Sequence, residues 1–275
     1  MPQQRLIKII DPSLYSLLSE DSFSESIHPK ISSNFILEQN GNHTPSEQEW
    51  FLQQDNQQLT LKGVLQQQTF SLSFDLQSAQ LNYRRQHGGG RKEPLAKAVG
   101  LKKAKTPFVI DTTAGMGREA LLLTSMGCKV LAIERQPVIY LLLNDAINRL
   151  YLNGDRGLSA SQLKLIHANS TDYLTDLNRQ KNSEKPQVIY MDPMFPDRNK
   201  SAAVKKEMRI FKQLAGEDMD AAELLTIACK VAEERVVVKR PASAPFIAER
   251  SPSFQITSKK HRFDVYLTNN GQLET

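Results

Sequence analysis

A chain of 275 residues in which 40% are hydrophobic can bury one large core or two smaller ones, and its net charge is +5. It has no apolar run near the length of a membrane span, and Met1–Ile10 lacks the apolar region and cleavage site of a signal peptide. Its 2 cysteines form no CxxC pattern, which excludes a disulfide framework and predicts a reduced, cytoplasmic protein.

The charge is unevenly distributed along the chain. Residues 1–75 carry a net charge of −5, whereas residues 76–275 carry +10. A basic main body favours a polyanionic partner such as a nucleic acid. Solubility alone could also explain the charge.

Residues 1–80 are predicted to form a small, strand-rich N-terminal subdomain. Pro12, Pro29 and the Gly41-Asn42 pair separate short β-like segments. Phe70–Leu76 alternates strictly between apolar and polar residues, as a half-buried strand does. The other candidate strands are Arg5–Ile10, Asn34–Glu38, Trp50–Leu52 and Leu59–Leu61.

A basic, glycine-rich loop is predicted over Tyr83–Glu93. Gly88-Gly89-Gly90 cannot form the interior of a stable helix or strand, so the loop is expected to be mobile. A short helix should follow over Pro94–Val99. Between Arg84 and Lys105 there are eight Lys or Arg residues and one acidic residue. The segment is either a solvated linker or a substrate-binding loop. In the second case the residues that contact a polyanionic substrate would be Arg84, Arg85, Arg91 and Lys92.

The remainder, residues 81–275, alternates between apolar strands and helices, which predicts an α/β domain with a parallel sheet covered on both faces. Ligands bind at the carboxyl ends of the strands in such a sheet. The predicted strands are Pro107–Ile110, Lys129–Glu134, Leu163–His167, Gln187–Met191, Arg235–Lys239, Phe254–Thr257 and Phe263–Leu267. Helices are predicted over Pro137–Leu150 and Ala221–Glu234.

The segment Asp111–Ala120 joins the first of these strands to a helix. Its glycines, Gly115 and Gly117, match the pattern G-x-G-x-x-G/A, so an NAD-binding turn and a turn that binds nothing are both open. Asp111 lies four residues before the first glycine. Its carboxylate would repel a pyrophosphate but suits a cationic ligand. This arrangement favours S-adenosylmethionine, which carries an ammonium and a sulfonium and has no phosphate.

Polar residues also follow the second and third strands. Glu134 ends the second strand, where its carboxylate can accept two hydrogen bonds from a ribose diol. Asn169-Ser170-Thr171-Asp172 follow the third, where an adenine edge would lie. Ser170 and Thr171 could equally be helix caps.

The fourth strand ends in Asp192-Pro193-Met194-Phe195-Pro196. The lone pair of an exocyclic amine is delocalised into its base. A carboxylate and a carbonyl that accept hydrogen bonds from the N–H groups of the amine can turn its lone pair toward a methyl carbon. Prolines stiffen the loop without adding donors, and Phe195 offers a face for stacking. The segment therefore predicts methylation of a base amine, although Asp-Pro is also a common turn initiator.

A second basic segment follows at once. Between Arg198 and Lys212 there are six Lys or Arg residues and one acidic residue. A phosphate backbone that delivers a base to the pocket would need such a patch, whereas the alternative is a solvated helix face. The RNA-contacting candidates here are Arg198, Lys200, Lys205, Lys206 and Arg209.

Together these stretches resemble the ribosomal RNA small subunit methyltransferase J family. The resemblance covers roughly residues 75–267, and it is specific because several unrelated motifs occur in the family's order. The N-terminal segment matches only loosely. The matching stretches are His87–Lys102, Asp111–Glu119, Glu134–Pro137, Asp192–Pro196, Lys200–Arg209 and Val236–Pro241.

The resemblance implies a class I, Rossmann-like, seven-stranded methyltransferase domain. It implies S-adenosylmethionine-dependent methylation of a guanine 2-amino group in 16S ribosomal RNA, free or in the small subunit. The cofactor contacts that it implies are Arg118, Glu119, Glu134, Arg135, Ser170, Thr171 and Asp192.

The predicted roles combine both lines of argument. Gly115 and Gly117 receive the methionine part of the cofactor and Glu134 its ribose, while Asp192, Pro193 and Phe195 act on the target base. An NAD(P)-dependent oxidoreductase and a non-catalytic RNA-binding protein are the alternatives. No metal, membrane or stable protein partner is expected.

Overall fold

The computed structural model describes residues 6–9, 35–37, 49–87, 90–101, 106–152, 161–194, 206–216, 218–258 and 261–268. The chain divides into two compact units. The first unit comprises Met1–Asp75, Gln136–Arg149 and Arg198–Ala215, and the second comprises Leu76–Arg135, Leu150–Asp197 and Gly216–Thr275. The boundary at residue 80 stays a prediction.

The described residues form the following strands and helices. The strands are β1 (Leu6–Ile9), β2 (Phe35–Leu37), β3 (Glu49–Asp55), β4 (Gln58–Leu65), β5 (Gln68–Leu72), β6 (Phe108–Asp111), β7 (Lys129–Glu134), β8 (Leu163–His167), β9 (Val188–Met191), β10 (Arg235–Pro241), β11 (Phe254–Thr257) and β12 (His261–Leu267). The helices are α1 (Ala79–His87), α2 (Pro94–Ala98), α3 (Arg118–Ser125), α4 (Pro137–Leu152), α5 (Ser170–Arg179), α6 (Lys206–Ala215) and α7 (Ala221–Val231).

The first unit contains a five-stranded mixed sheet in the order β2-β1-β3-β4-β5. β1 runs parallel to β2 and β3, whereas β3, β4 and β5 pair antiparallel. Two-residue turns join these last strands, and all four turn residues have positive φ, as type I′ hairpins require. The rings of Trp50 and Phe70 pack edge to face, with 4.9 Å between their centroids. A Cβ at Gly63 would lie 2.4 Å from that indole, so the packing requires glycine there.

The strand predicted over Phe70–Leu76 ends early, at Leu72. Phe74 and Leu76 are buried without strand pairing. The Phe74 carbonyl accepts a 2.6 Å hydrogen bond from Arg149 Nη2 on α4. A side chain of α4 thus occupies a main-chain group that a longer ladder would need.

The second unit contains a seven-stranded sheet in the order β11-β12-β10-β9-β6-β7-β8. The five strands from β10 to β8 are parallel, and β12 inserts antiparallel between β10 and β11. Alternate residues such as Ile110, Ile189 and Val238 form a core with α5 and α7, and the second face carries α2 and α3. The predicted seven-stranded α/β class is confirmed. The order reverses between β6 and β9, which is where such sheets bind ligands.

Three predictions about local structure need correction. Tyr83–His87 lies in α1 and not in a loop, because Leu81 is buried and Arg84 forms an ion pair with Glu93. Gly90–Lys92 forms a 3₁₀ turn, and Gly88 and Gly89 lie outside the described residues.

The second correction is that α5 was not predicted as a helix. The third correction concerns the ends of three elements. Helix α7 stops at Val231 and not at Glu234, and β10 continues past Lys239 to Pro241. Strand β12 begins at His261 and not at Phe263, because His261 pairs with Pro241. No helix among the described residues is long and apolar enough to cross a membrane.

Candidate active site

The turn after β6 holds Asp111 in a buried position. Asp111 is 1% exposed, and its Oδ1 accepts a 3.1 Å hydrogen bond from the N–H of Thr113. Thr112 donates to the Tyr190 carbonyl through both its N–H and its Oγ1, at 3.0 and 2.9 Å. Thr113 Oγ1 accepts a 2.7 Å bond from the N–H of Asp192. The turn after β6 is therefore hydrogen-bonded to the carboxyl end of β9.

Both glycines of this turn adopt left-handed backbone, with φ of 54° at Gly115 and 71° at Gly117. Residues with a Cβ adopt this region only at a cost. Gly117 is the cap of α3 and offers no side chain. Glu119 lies in the first turn of α3, and Arg118 is exposed beside it. The N–H groups that begin α3 have no partner within the helix and can meet a ligand.

Glu134 is held against this glycine turn. It is 7% exposed, and its Oε2 accepts a 2.9 Å hydrogen bond from the N–H of Gly115. The N–H of Ala114 donates to the Ile133 carbonyl at 3.0 Å. The structure thus brings Glu134 and the glycines together. The role of Glu134 as a ribose ligand stays a prediction.

Asn169, and neither Ser170 nor Thr171, caps α5. Its side chain accepts hydrogen bonds from the N–H groups of Thr171 and Asp172 at 2.8 and 3.2 Å. Ser170 Oγ donates to the Thr112 carbonyl at 2.7 Å, which ties α5 to the turn after β6. Thr171 Oγ1 is buried and finds no hydrogen-bond partner among the described residues. A buried hydroxyl of this kind is available to hydrogen-bond a ligand or a water molecule.

Arg135 binds two carboxylates of the segment that precedes α7. Its Nη1 lies 2.9 Å from an oxygen of Asp220, and its Nη2 contacts Asp218. Asp218 in turn accepts a hydrogen bond from the N–H of Met194. Arg135 thus braces the segment after β9. Its predicted contact with the cofactor stays a prediction.

Lys239, near the carboxyl end of β10, forms ion pairs with two acidic residues, Asp192 and Glu119. Its Nζ lies 2.7 Å from Asp192 Oδ2 and 2.9 Å from Glu119 Oε1. The side chain of Asp192 is 37% exposed, so it opens to solvent more than a pocket floor would. Pro193 is buried, and Phe195 lies outside the described residues.

Burial and neighbouring charges set the pKa values at this edge. Burial raises the pKa of Asp111 to about 8; the Thr113 N–H opposes this, and Glu119 adds to it. Partial loss of hydration also raises the pKa of the half-buried Asp192 carboxyl, to about 6, against the opposing Lys239 ammonium. Burial acts to raise the pKa of Glu119 as well, but Lys239 outweighs it and the pKa is lowered. With a pKa of about 8, Asp111 is mostly protonated at neutral pH in the absence of a ligand, and a cationic ligand beside it would favour its ionised form.

Known proteins that resemble this chain identify its family. The SAM-dependent methyltransferase family model matches residues 35–268. Ribosomal RNA small subunit methyltransferase J of Alteromonas mediterranea is 48% identical over 79% of this chain and 82% of its own. The protein of that name from Aliivibrio fischeri is 41% identical over 92% of this chain and 97% of its own. The chain belongs to the ribosomal RNA small subunit methyltransferase J family.

A solved structure supports the assignment. The SAM-dependent methyltransferase of Neisseria gonorrhoeae is 32% identical, covers 98% of this chain and 99% of its own, and superposes with a TM-score of 0.67. The predictions of family, of S-adenosylmethionine as cofactor and of methyltransferase activity are therefore confirmed. The oxidoreductase alternative is not favoured.

The basic residues predicted to bind RNA occur in both units. In the second unit, Arg84 pairs with Glu93 at 3.1 Å, Arg85 donates to Asn82 at 3.2 Å, and the 3₁₀ turn exposes Arg91 and Lys92. In the first unit, Arg209 is exposed and lies 3.4 Å from Gln66 Oε1. Lys206 begins α6, but its side chain lies outside the described residues, as do Arg198, Lys200 and Lys205. RNA contact stays a prediction for each of them.

Three residues of this methyltransferase site were not singled out from the sequence. From the sequence, Lys239 is only the last residue of the predicted strand Arg235–Lys239, and neither Tyr190 nor Asp218 has a predicted role. Tyr190 is 1% exposed, and its hydroxyl has no hydrogen-bond partner among the described residues. A lysine directly after the three valines of β10 was the signal that could have identified Lys239. Within the described residues, no cluster of His, Cys, Asp or Glu could hold a metal ion.

Proposed function

We propose that this protein transfers the methyl group of S-adenosylmethionine to the exocyclic 2-amino group of a guanosine in 16S ribosomal RNA. The substrate is the free RNA or the small ribosomal subunit, and the reaction takes place in the cytoplasm. The observation that carries the proposal is the position of Asp192. Asp192 directly follows β9, and its main-chain N–H donates a hydrogen bond to Thr113 in the turn that holds Asp111.

The residues at this edge fit the cofactor. Asp111 provides a buried carboxyl that a cationic group would ionise, and Glu134 and the glycine turn accept and donate hydrogen bonds beside it. The unpartnered hydroxyl of Thr171 can bind an adenine or ribose group. A pyrophosphate at the same place would face the carboxylate of Asp111. When bound, S-adenosylmethionine supplies an activated methyl group to the nucleophile.

Asp192 and Pro193 prepare the target nitrogen. The amine of guanine is a poor nucleophile because its lone pair is delocalised into the ring. Asp192 accepts an N–H hydrogen bond and draws the lone pair out of that conjugation, which fixed acceptors accomplish without reorganisation. Pro193 has no N–H, so it leaves its carbonyl available and adds no competing donor. No strong base is required, because the methylated ammonium is acidic and loses its proton readily. Proximity and orientation supply much of the remaining rate.

The exposed basic residues hold the RNA. Arg91 and Lys92 lie on the surface of the 3₁₀ turn that follows α1, and Arg209 lies on α6. Contacts with phosphates position a nucleic acid without reading its sequence. The base then leaves its stack and enters the site.

The test is direct labelling of ribosomal RNA. Small subunits and extracted 16S RNA from a strain that lacks this gene are incubated with the protein and labelled S-adenosylmethionine, and the modified nucleoside is mapped. The expected product is N2-methylguanosine at one position, absent with the Asp192→Asn variant. RNA that binds but is never labelled would favour the non-catalytic alternative, and label on another atom would contradict the proposed chemistry.

A further inference from the structure

Lys239 joins two elements that the proposed reaction uses separately. β9 and β10 are parallel neighbours in which Met191 is opposite Val238. The next residues, Asp192 and Lys239, therefore emerge side by side at the carboxyl edge. From there the Lys239 ammonium reaches both Asp192 Oδ2 and, at the start of α3, Glu119 Oε1. Its side chain is only 22% exposed.

The neighbouring carboxylates of Glu119 and Asp192 favour the protonated form of Lys239. Burial alone acts to lower the pKa of Lys239, but Glu119 and Asp192 outweigh it and the pKa is raised. Lys239 is therefore protonated throughout the range in which proteins work. It is the cation nearest Asp192 among the described residues that act on that carboxyl.

Most of the other groups that act on Asp192 are negative. They come from separate elements, Glu119 on α3 and Asp218 before α7, whereas Asp111 on β6 holds its proton at neutral pH. Tyr190, on β9 itself, is buried and neutral, and its pKa lies well above its ordinary value because of burial and the same carboxylates. Without Lys239, Asp192 would lie beside these acidic residues with no positive charge to compensate them. A carboxyl in that setting takes up a proton.

A protonated Asp192 cannot perform the proposed task. One of its oxygens would become a donor, and the charge that attracts the N–H groups of the amine would be lost. With Lys239 in place, Oδ2 is bound to the ammonium, while no described residue hydrogen-bonds Oδ1. One oxygen is thereby anchored and the second is left for the substrate.

We propose that Lys239 is a positioning residue that keeps Asp192 ionised and aims its Oδ1 at the substrate amine. The proposal rests on the proposed function of Asp192. It also connects the two halves of the site, because the same ammonium holds Glu119 in the first turn of α3. A displacement of Glu119, on the side where the cofactor binds, would therefore act on the Asp192 carboxylate through Lys239.

The test follows the titration of Asp192 directly. The protein is labelled with ¹³C at the aspartate carboxyl carbons, and its spectrum is recorded against pH without cofactor or RNA; Asp192→Asn identifies the signal. Lys239→Met should raise the midpoint of Asp192 by about 1–3 units, the range for loss of an adjacent opposite charge. Lys239→Arg should keep it near the wild-type value. Lys230→Met, on the exposed face of α7, is the matched control and should change nothing.

The functional arm measures single-turnover methyl transfer against pH. The acid limb of the Lys239→Met rate should move upward with the Asp192 midpoint, and Lys239→Arg should restore it. If Lys239→Met does not fold, Glu119→Gln replaces it, with the opposite expectation: removing that carboxylate should lower the Asp192 midpoint.

Two outcomes would overturn the proposal. One is an Asp192 midpoint that Lys239→Met leaves in place. The other is a midpoint that moves while the acid limb of the rate does not. If Lys239→Met instead abolishes S-adenosylhomocysteine binding without moving the midpoint, Lys239 is a cofactor ligand. Failure of the wild-type protein to methylate any RNA would refute the proposed function, whereas the titration would still report on Lys239 and Asp192.

Discussion

The N–H of Asp192 donates a 2.7 Å hydrogen bond to Oγ1 of Thr113, a residue 79 positions earlier in the chain. This bond fastens the segment that acts on the base to the turn beside the glycines. It also lies between β6 and β9, where the strand order of the sheet reverses. The position of Asp192 therefore depends on the side chain of Thr113.

Thr113→Val should separate that positioning from the rest of the site. Valine has nearly the same shape, but it leaves the Asp192 N–H without an acceptor. We expect a loss of about 1–3 kcal/mol in the free energy of unfolding, the cost of an unsatisfied donor. Urea denaturation measures it, and Thr113→Ser, which keeps the hydroxyl, should retain most of the stability. Equal stability of the valine and serine variants would show that the bond contributes nothing.

Asp192→Asn should impair chemistry more than binding. Asparagine keeps the shape but loses the charge and one acceptor, so methyl transfer should fall about 100- to 1,000-fold, the range for removing one preorganised electrostatic contact. RNA affinity should remain, because phosphate contacts dominate it. A single-turnover assay with saturating cofactor and RNA is the measurement. A rate within a few-fold of wild type would reduce Asp192 to a turn residue.

Glu134→Ala should weaken binding of S-adenosylmethionine and S-adenosylhomocysteine by about 1–3 kcal/mol, the range for hydrogen bonds to a charged group. Because Glu134 also accepts the Gly115 N–H, part of this loss comes from the turn. Glu134→Gln, which can keep that contact through its amide oxygen, should lose less. Calorimetry measures both variants, with NAD as the ligand expected to bind negligibly. Tight NAD binding would contradict the cofactor assignment.

Asp111 should make stability fall as pH rises. The pKa of its carboxyl is about 8 in the folded protein against an ordinary 3.8, so the folded state holds a proton that the unfolded state releases. The stabilisation is complete below pH 3.8 and is lost as pH rises through about 8. Asp111→Asn can keep the Thr113 hydrogen bond and removes this loss.

The variant should therefore gain stability relative to wild type between pH 4 and pH 8, on the order of a few kcal/mol. Thermal unfolding at several pH values checks this. The same variant should bind S-adenosylmethionine about 10- to 100-fold more weakly, because the carboxylate that meets its cationic group is gone. A stability difference that is constant with pH would show that Asp111 does not titrate in this range.

Arg91→Ala combined with Lys92→Ala should weaken RNA binding across sequences. Each lost phosphate contact should flatten the log–log salt dependence by about 0.7–0.9 units. The matched control changes Lys181 and Lys230, two exposed lysines that precede the amino ends of β9 and β10. Filter binding of ribosomal RNA over a salt series measures the slopes. If the two double variants behave alike, the 3₁₀ turn is a solvated surface.

Local pattern in the sequence was sufficient for the architecture and for much of the site. Apolar runs predicted the strands of the second unit, and the predicted bounds of Lys129–Glu134 and Leu163–His167 match β7 and β8. Parallel strands place their carboxyl ends at one edge, so Asp111, Glu134 and Asp192 could be assigned to a common site before any coordinates. These inferences depend on periodicity and chain direction, which neighbouring residues encode.

Only the tertiary structure decided which side chains pair across that edge. Lys239 contacts Glu119, 120 positions earlier, and Arg135 contacts Asp218, because strand order and helix placement bring them together. In the sequence, a charged residue next to an apolar strand looks the same whether its side chain is solvated or forms an ion pair. Its partner is chosen by packing between segments that are far apart in the chain, and no local pattern records that choice.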